Sequence, residues 1–263
     1  METKPTTSWG GVADWYDEHL NTEEDSYQRQ VILPNILRLL ELKKGMTVLD
    51  LACGSGFFAR ELAQACPAIG GVIGVDISAE LINLAKKQKS NNLDYFISPA
   101  HDLSMIMDRS VDAVVNILAI QNIEEVKEML SGVKRVLRPE GKLIVVMNHP
   151  AFRIPQGSGW QWNEAGKKQS RLIGYYLSET RTAIKMHPGL SRRSGAKAEA
   201  DTTTSFHRPL QYYFKLLNNE GFAVSRLEEW ISHKTSQSGP RKRVEDKARK
   251  EFPLFLCLVA RLG

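Results

Sequence analysis

Between residues 46 and 148 the hydrophobic pattern changes period again and again. Short, nearly unbroken apolar runs, MTVLDLA (46–52), GVIGVDI (71–77), LDYFIS (93–98), VDAVVNIL (111–118) and KLIVVMN (142–148), read as strands. Between them, FFARELAQAC (57–66), AELINLAKKQK (79–89) and IEEVKEMLSGVKRVL (123–137) carry apolar residues three and four apart and read as helices. Strands that are apolar on both faces and alternate with helices imply a parallel sheet covered on both sides, a doubly wound α/β fold. Arg138-Pro139-Glu140-Gly141 reads as a helix stop and a turn before the fifth strand.

The flanks differ. Residues 23–42 show helical spacing in which Pro34 either kinks the helix or opens its second half. Late in the chain, 208–222 reads as a helix closing at Gly221, and 223–230 and 253–262 as two more strands. Between 151 and 206 the periodicity fails, and Gly, Ser, Thr and charged residues mix with Trp160, Trp162, Tyr175 and Tyr176. So long a connection inside a compact domain is expected to be a lid, a binding loop or disordered. The division that follows is a helical cap over 1–45, a ligand-binding core over 46–150, an insertion over 151–206, and a segment over 207–263 that completes the sheet.

Composition narrows the class without changing this outline. At 263 residues, with 42% hydrophobic and 25% charged residues, the chain is an ordinary globular one. It has no apolar run long enough to span a bilayer and no secretory leader, so the expectation is a cytoplasmic protein without a membrane span. Cys53, Cys66 and Cys257 form no CxxC pair and suggest neither a metal site nor a disulfide framework. The net charge of +5 is concentrated late. Residues 151–206 hold nine basic side chains, among them Arg192, Arg193 and Lys197, against four acidic ones, which fits a solvated surface or an anionic partner.

Candidate chemistry centres on VLDLACGSGFFA (48–59), where Gly54-x-Gly56-x-x-Ala59 follows a strand and opens a helix. Glycines there let the backbone approach a ligand, and the helix start offers free N–H groups. Asp76, 20 residues beyond Gly56 at the end of the second strand, can accept hydrogen bonds from ribose hydroxyls. These features alone also fit a dinucleotide. Asp50 separates the two readings, because a carboxylate at the end of the first strand would repel a pyrophosphate and favour a cationic group. S-adenosylmethionine carries such groups, an α-ammonium and a sulfonium, although Asp50 could also simply cap the following helix.

At these motifs the chain resembles the class I S-adenosylmethionine-dependent methyltransferases, particularly their small-molecule, UbiE-like branch. VLDLACGSG, GVIGVDIS, SPAHDL, VDAVVNILAIQNIEE and RVLRPEGKLIVV match the family's successive motifs over about 46–148, with Glu140 where the family often has Gly. The resemblance implies a Rossmann-like seven-stranded sheet whose last strand is antiparallel, S-adenosylmethionine as cofactor and S-adenosylhomocysteine as product. It implies that Ala52, Gly54 and Gly56 line the methionine part and that Asp76 holds the ribose. Ile77 and Asp102, with His101 beside it, would meet the adenine, and Asn116 would line the reaction site. Tyr16, in ADWYDEHL (13–20), would touch the cofactor from the cap or else pack the cap onto the core.

Methyl transfer is an in-line displacement in which alignment does much of the work, and a base is optional. If one is used, His149 in the NHP segment at the exit of the fifth strand is the first candidate and His207 the second, with Asn148 beside the acceptor. Each histidine could equally satisfy a neighbouring carbonyl. Trp160, Trp162, Tyr175 and Tyr176 are expected either to wall the acceptor or to pack the insertion onto the sheet. Alternatives to a small acceptor are an RNA or protein target recruited by the basic stretches 151–206 and 234–250. A nicotinamide-dependent oxidoreductase and a non-catalytic cofactor-binding protein also remain.

Overall fold

The structure, a computed structural model, describes residues 9–88, 92–185 and 202–263. Two helices precede the sheet, α1 (Ala13–Thr22) and α2 (Leu33–Leu40). A single π-type turn, Gln28–Ile32, runs directly into α2, and Pro34 sits in the first turn of α2, where its missing N–H is not needed. Pro34 therefore opens the α-helical second half of a continuous helical segment, at the point where the π-type turn ends.

The alternating core follows as β1 (Thr47–Leu51), α3 (Phe57–Ala65), β2 (Gly71–Asp76), α4 (Ala79–Lys87), β3 (Leu93–Ile97), β4 (Val111–Ile117), α5 (Val126–Val136) and β5 (Leu137–Asn148). Two hairpins come next, β6 (Ser158–Asn163) with β7 (Lys168–Ile173) and β8 (Thr180–Lys185) with β9 (Thr202–His207). The chain closes with α6 (Leu210–Asn219), β10 (Phe222–Trp230), α7 (Lys242–Glu251) and β11 (Phe255–Leu262). Seven strands form one sheet in the order β10-β11-β5-β4-β1-β2-β3, in which β11 alone runs against its neighbours.

Alternation along each central strand sends side chains to two apolar layers. From β4, Ala113, Val115 and Ile117 enter the layer shared with α2 and α3, while Val111 and Val114 enter the layer shared with α5 and α6. β5 divides in the same way, Ile144 and Val146 to one face and Leu143, Val145 and Met147 to the other. Helix α5 buries Val126, Met129, Leu130, Val133 and Val136, a stripe at helical spacing that seals the second face.

Two expectations need amendment. Arg138–Gly141 lies within β5 as a bulge rather than before it, since Leu137 pairs with Val111 and the next paired residue, Lys142, faces Ala113. Pro139 has no N–H for the ladder, and a Cβ on Gly141 would meet the Arg138 carbonyl oxygen at 2.9 Å, so the four residues loop out while the strand resumes beyond them. The described part of the insertion is not irregular: it forms hairpins whose strands pair only with each other. Residues 186–201, with Arg192, Arg193 and Lys197, lie outside the described residues.

Candidate functional site

A cavity of about 270 Å³ opens at the C-terminal ends of β1, β2 and β4, the edge where parallel sheets bind ligands. Its floor is the loop between β1 and α3. Ala52, Gly54 and Gly56 there take positive φ values of 62°, 57° and 78°; Ala52 and Gly54 lie on the cavity wall, while Gly56 lies behind it with its N–H on the Cys53 carbonyl. For the two glycines this geometry is inexpensive, but for Ala52 it is a strained state held by its surroundings. Gly56 has a second reason to lack a side chain, since a Cβ would lie 2.5 Å from the buried Tyr95 hydroxyl.

Two carboxylates stand over this loop. Asp76, at the end of β2, accepts the Gly54 N–H at 2.8 Å through Oδ2 and the Ser78 N–H at 2.9 Å through Oδ1, and so joins the loop to the start of α4. Asp50 is 1% exposed, and its Oδ2 has no hydrogen-bond partner. Burial, and then the Asp76 charge, push the Asp50 carboxyl up to about 7, against the pull of the Ala59 N–H. Asp76 is also raised, again by burial. Across the cavity Tyr16 is raised to about 12 by burial and by both carboxylates, so its hydroxyl stays protonated.

Among the described residues, the cavity wall contains no Lys, Arg or His. Two buried acids without a counter-cation in a ligand-sized space are costly unless the ligand brings the positive charge. A dinucleotide pyrophosphate would find the opposite of what it needs. An α-ammonium or a sulfonium would find Asp50's unfilled oxygen.

The remaining expected residues divide. Tyr16 and Ile77 line the cavity with the loop residues, and Asn116 lies just behind it. Asn116 is fully buried and donates from Nδ2 to the Leu51 carbonyl at 2.9 Å, tying β4 to β1 beneath the loop. His101 and Asp102 are exposed and outside the wall. Asp102 accepts the Ser104 N–H at 3.0 Å, which holds its carboxyl below the usual range, and His101 faces Glu125 at 4.0 Å.

Both candidate bases are corrected by their partners. His149 accepts the Ala151 N–H at Nδ1 and is bonded through Nε2 to Glu229 at 2.7 Å, so both ring nitrogens are occupied; burial lowers its pKa. It is a strut between the β5 exit and β10. His207 donates from Nε2 to the Tyr176 carbonyl at 2.8 Å and likewise lies off the wall. Asn148 pairs with Phe255 within the sheet.

The four aromatics do not wall the cavity. Trp160 packs on Phe252 at 5.4 Å, with the Arg171 guanidinium over its ring, and Trp162 lies under Arg241. The Tyr176 hydroxyl accepts the Leu210 N–H, while Tyr175 is exposed. The insertion's contribution to the wall comes instead from Thr203 and Thr204 on β9, held by Asn122, which donates to the Thr204 carbonyl at 2.7 Å. Leu118, at φ 54°, and Asn122 line it from the segment after β4, Trp9 from the cap, and Phe57 and Phe58 from the start of α3. Sequence reasoning missed all of these, although Asn122 was signalled by its place just beyond the fourth strand.

Comparison with known proteins agrees with this geometry. The family model described as a methyltransferase domain matches residues 49–145. A 2-phytyl-1,4-naphtoquinone methyltransferase of Nostoc is 29% identical over 57% of this chain and 66% of its own length. A demethylmenaquinone methyltransferase of Lactobacillus johnsonii is 33% identical over 46% of this chain and 52% of its own. The chain thus spans only about half to two thirds of these relatives. The fold extends further: the crystal structure of an S-adenosylmethionine-dependent methyltransferase from Mesorhizobium loti superposes with a TM-score of 0.66 at 22% identity, covering 92% of this chain and 99% of that one. With an acid-walled cavity at the strand ends, residues 49–145 are similar to a methyltransferase domain, and the chain around them has the fold of an S-adenosylmethionine-dependent methyltransferase.

Proposed function

We propose that the protein transfers a methyl group from S-adenosylmethionine to a small organic acceptor seated between the cofactor cavity and the β8–β9 hairpin. The observation that carries this reading is the pair of buried acids, Asp50 and Asp76, in a wall without basic side chains. When bound, the cofactor supplies a methyl carbon already activated by its sulfonium. Asp50 accepts from the α-ammonium, and the loop at Ala52, Gly54 and Gly56 lies along the methionine part. Each Asp76 oxygen holds one backbone N–H and keeps a lone pair for a ribose hydroxyl. Ile77 and Leu81 cover the adenine side.

Apart from Asp50, which this reading commits to the cofactor's ammonium, no titratable group of near-neutral pKa lines the cavity among the described residues, so the protein's part in the reaction is alignment and exclusion of water. That favours an acceptor that is nucleophilic without help from a base, such as an electron-rich ring carbon. The relatives named for naphthoquinone and menaquinone substrates support an aromatic acceptor of that kind. The reading places the work in the cytoplasm, which three unpaired cysteines support. Within the insertion, Arg171 and Arg181 are engaged by the Phe152 carbonyl and Glu124 and are not held out to a nucleic acid.

Calorimetry with S-adenosylmethionine and with NADH, on the native protein and on Asp50→Asn, tests this. Binding of the first ligand alone, weakened in the variant, is the expected result. Binding of NADH alone would overturn it. Reduced naphthoquinols with short side chains are the first acceptors to try.

A further inference from the structure

The insertion carries a feature that the cofactor cavity does not use. Within six consecutive residues, four large apolar side chains stand in solvent: Leu172 at 50%, Ile173 at 44%, Tyr175 at 80% and Leu177 at 66% exposure. They are not on a loose end. The Gly174 N–H bonds the Gly157 carbonyl at 2.8 Å, the Tyr176 carbonyl accepts from His207, and the Tyr176 hydroxyl accepts from Leu210. Tyr175 is held at φ 56° between these anchors. The backbone is fastened while the apolar side chains face water, an arrangement that marks an interaction surface.

Helix α7 packs against β7, which carries half of this tip. Arg241 over Trp162, Arg241 with Glu164, and Phe252 against Trp160 bind helix and hairpin into one unit. Lys242, Arg243, Lys247 and Lys250 line an open surface groove on this helix, and among the described residues none of them forms an ion pair. The one acid in that groove, Asp246, is turned to the Ser236 N–H at 2.6 Å. An aliphatic and tyrosyl tip carried on the same hairpin that holds a helix of cations without ion pairs matches one chemistry, the interface of an anionic bilayer, where apolar side chains enter the acyl boundary and cations meet lipid phosphates. Nucleic acid has no use for Leu172 and Leu177. A symmetric second copy would bring the same cationic patch against itself.

We propose that the 172–177 tip and α7 dock the protein on an anionic lipid surface, so that its acceptor is a molecule dissolved in that membrane. The second clause rests on the proposed methyl transfer; the docking does not. The path is short, because Thr204 in the cavity wall is three residues from His207, which anchors the tip, roughly 10 Å along one strand. Among the described residues no helix is long and apolar enough to cross a membrane, so the contact lies on the bilayer rather than through it.

Co-sedimentation of the full chain with phosphatidylcholine vesicles, with and without phosphatidylglycerol, tests the docking. Binding to the anionic vesicles, weakened by salt and absent on the neutral ones, is expected. Leu177→Asp with Tyr175→Asp, and separately Lys247→Glu with Lys250→Glu, should each lower it roughly tenfold or more. Met107→Asp, which alters another exposed apolar residue, should not. Cofactor affinity by calorimetry should be unchanged in every variant, which shows that each is folded. Failure of the native protein to bind anionic vesicles, equal binding to both vesicle types, or self-association abolished by Leu177→Asp would each overturn the proposal. If vesicles bind but neither membrane-dissolved nor short-chain quinols are methylated, the assigned activity falls while the docking stands.

Discussion

The loop after β1 and the excursion after β5 sit at the same edge of the sheet, yet they build their ends of the site by opposite means. The first works through its backbone, with three positive-φ residues in five positions and a carboxylate that clamps two amides. The second works through side-chain struts: His149 to Glu229, His207 to the Tyr176 carbonyl, Arg171 to the Phe152 carbonyl, Asn122 to the Thr204 carbonyl. A backbone cradle tolerates little change and suits a ligand that never varies. A strutted hairpin can be rebuilt residue by residue and suits the partner that differs from one enzyme to the next.

The largest test of that contrast is Gly56→Val. The new side chain would combine a left-handed backbone with a Cβ at 2.5 Å from the Tyr95 hydroxyl. Displacing the loop should weaken S-adenosylmethionine binding on the order of a hundredfold, at a stability cost of about 2–4 kcal/mol. Calorimetry, beside circular dichroism to confirm folding, reads both; unchanged affinity would mean that the cradle is softer than its geometry indicates.

Asp50→Asn comes next, with a loss of affinity on the order of tenfold near neutral pH. The pH dependence follows from a carboxyl raised from its ordinary 3.8 to about 7. Between those values the folded, ligand-free protein holds a proton that the unfolded chain has lost. The contribution of this group to stability is therefore fully present below about 3.8 and is lost as pH rises through about 7, while affinity for a cationic ligand rises over the same interval. Asp76 is displaced in the same direction, so only the flattening of both trends in Asp50→Asn isolates the group. Melting temperatures and titrations from about pH 4 to about pH 8 supply both curves.

A smaller effect should separate the two ends. Asn122→Ala removes the bond that holds Thr204 against the cavity, and should raise KM for the acceptor several-fold while cofactor Kd moves less than about twofold. Equal changes in both would show that the hairpin belongs to the cofactor's side. Smallest in activity is His149→Gln, expected to cost about 1–2 kcal/mol of stability and to leave kcat nearly unchanged. A large drop in kcat with the fold intact would restore a catalytic role to this residue.

What could be read from the sequence follows the same division. The parallel core was legible because its strands are apolar on both faces and its helices repeat at their own period, and Asp50, Gly54, Gly56 and Asp76 were legible because a backbone cradle demands particular residues at fixed spacing. The wall made by Thr203, Thr204 and Trp9 was not, since these residues reach the cavity through tertiary placement that no local spacing encodes. Trp160 and Trp162 drew attention for their size, but paired with Phe252 and Arg241 they serve packing. His149 shows the limit most clearly: its place at a strand exit was right for a base, and only Glu229, 80 residues away, shows that the ring is already engaged.

One feature of the sheet bears on how the protein is made. β10 pairs with none of the central strands; it is joined to the sheet through β11, which pairs with β5 and follows both in the chain. During synthesis β1 to β5 can assemble as they emerge, but β10 must wait as an unpaired edge, and so must the flank of β5, until Phe255–Leu262 leaves the ribosome. The sheet is completed by a late insertion into an open slot. A chain released without Phe255–Leu262 would leave β10 unpaired and the flank of β5 open on an otherwise assembled core, the kind of chain that chaperones bind.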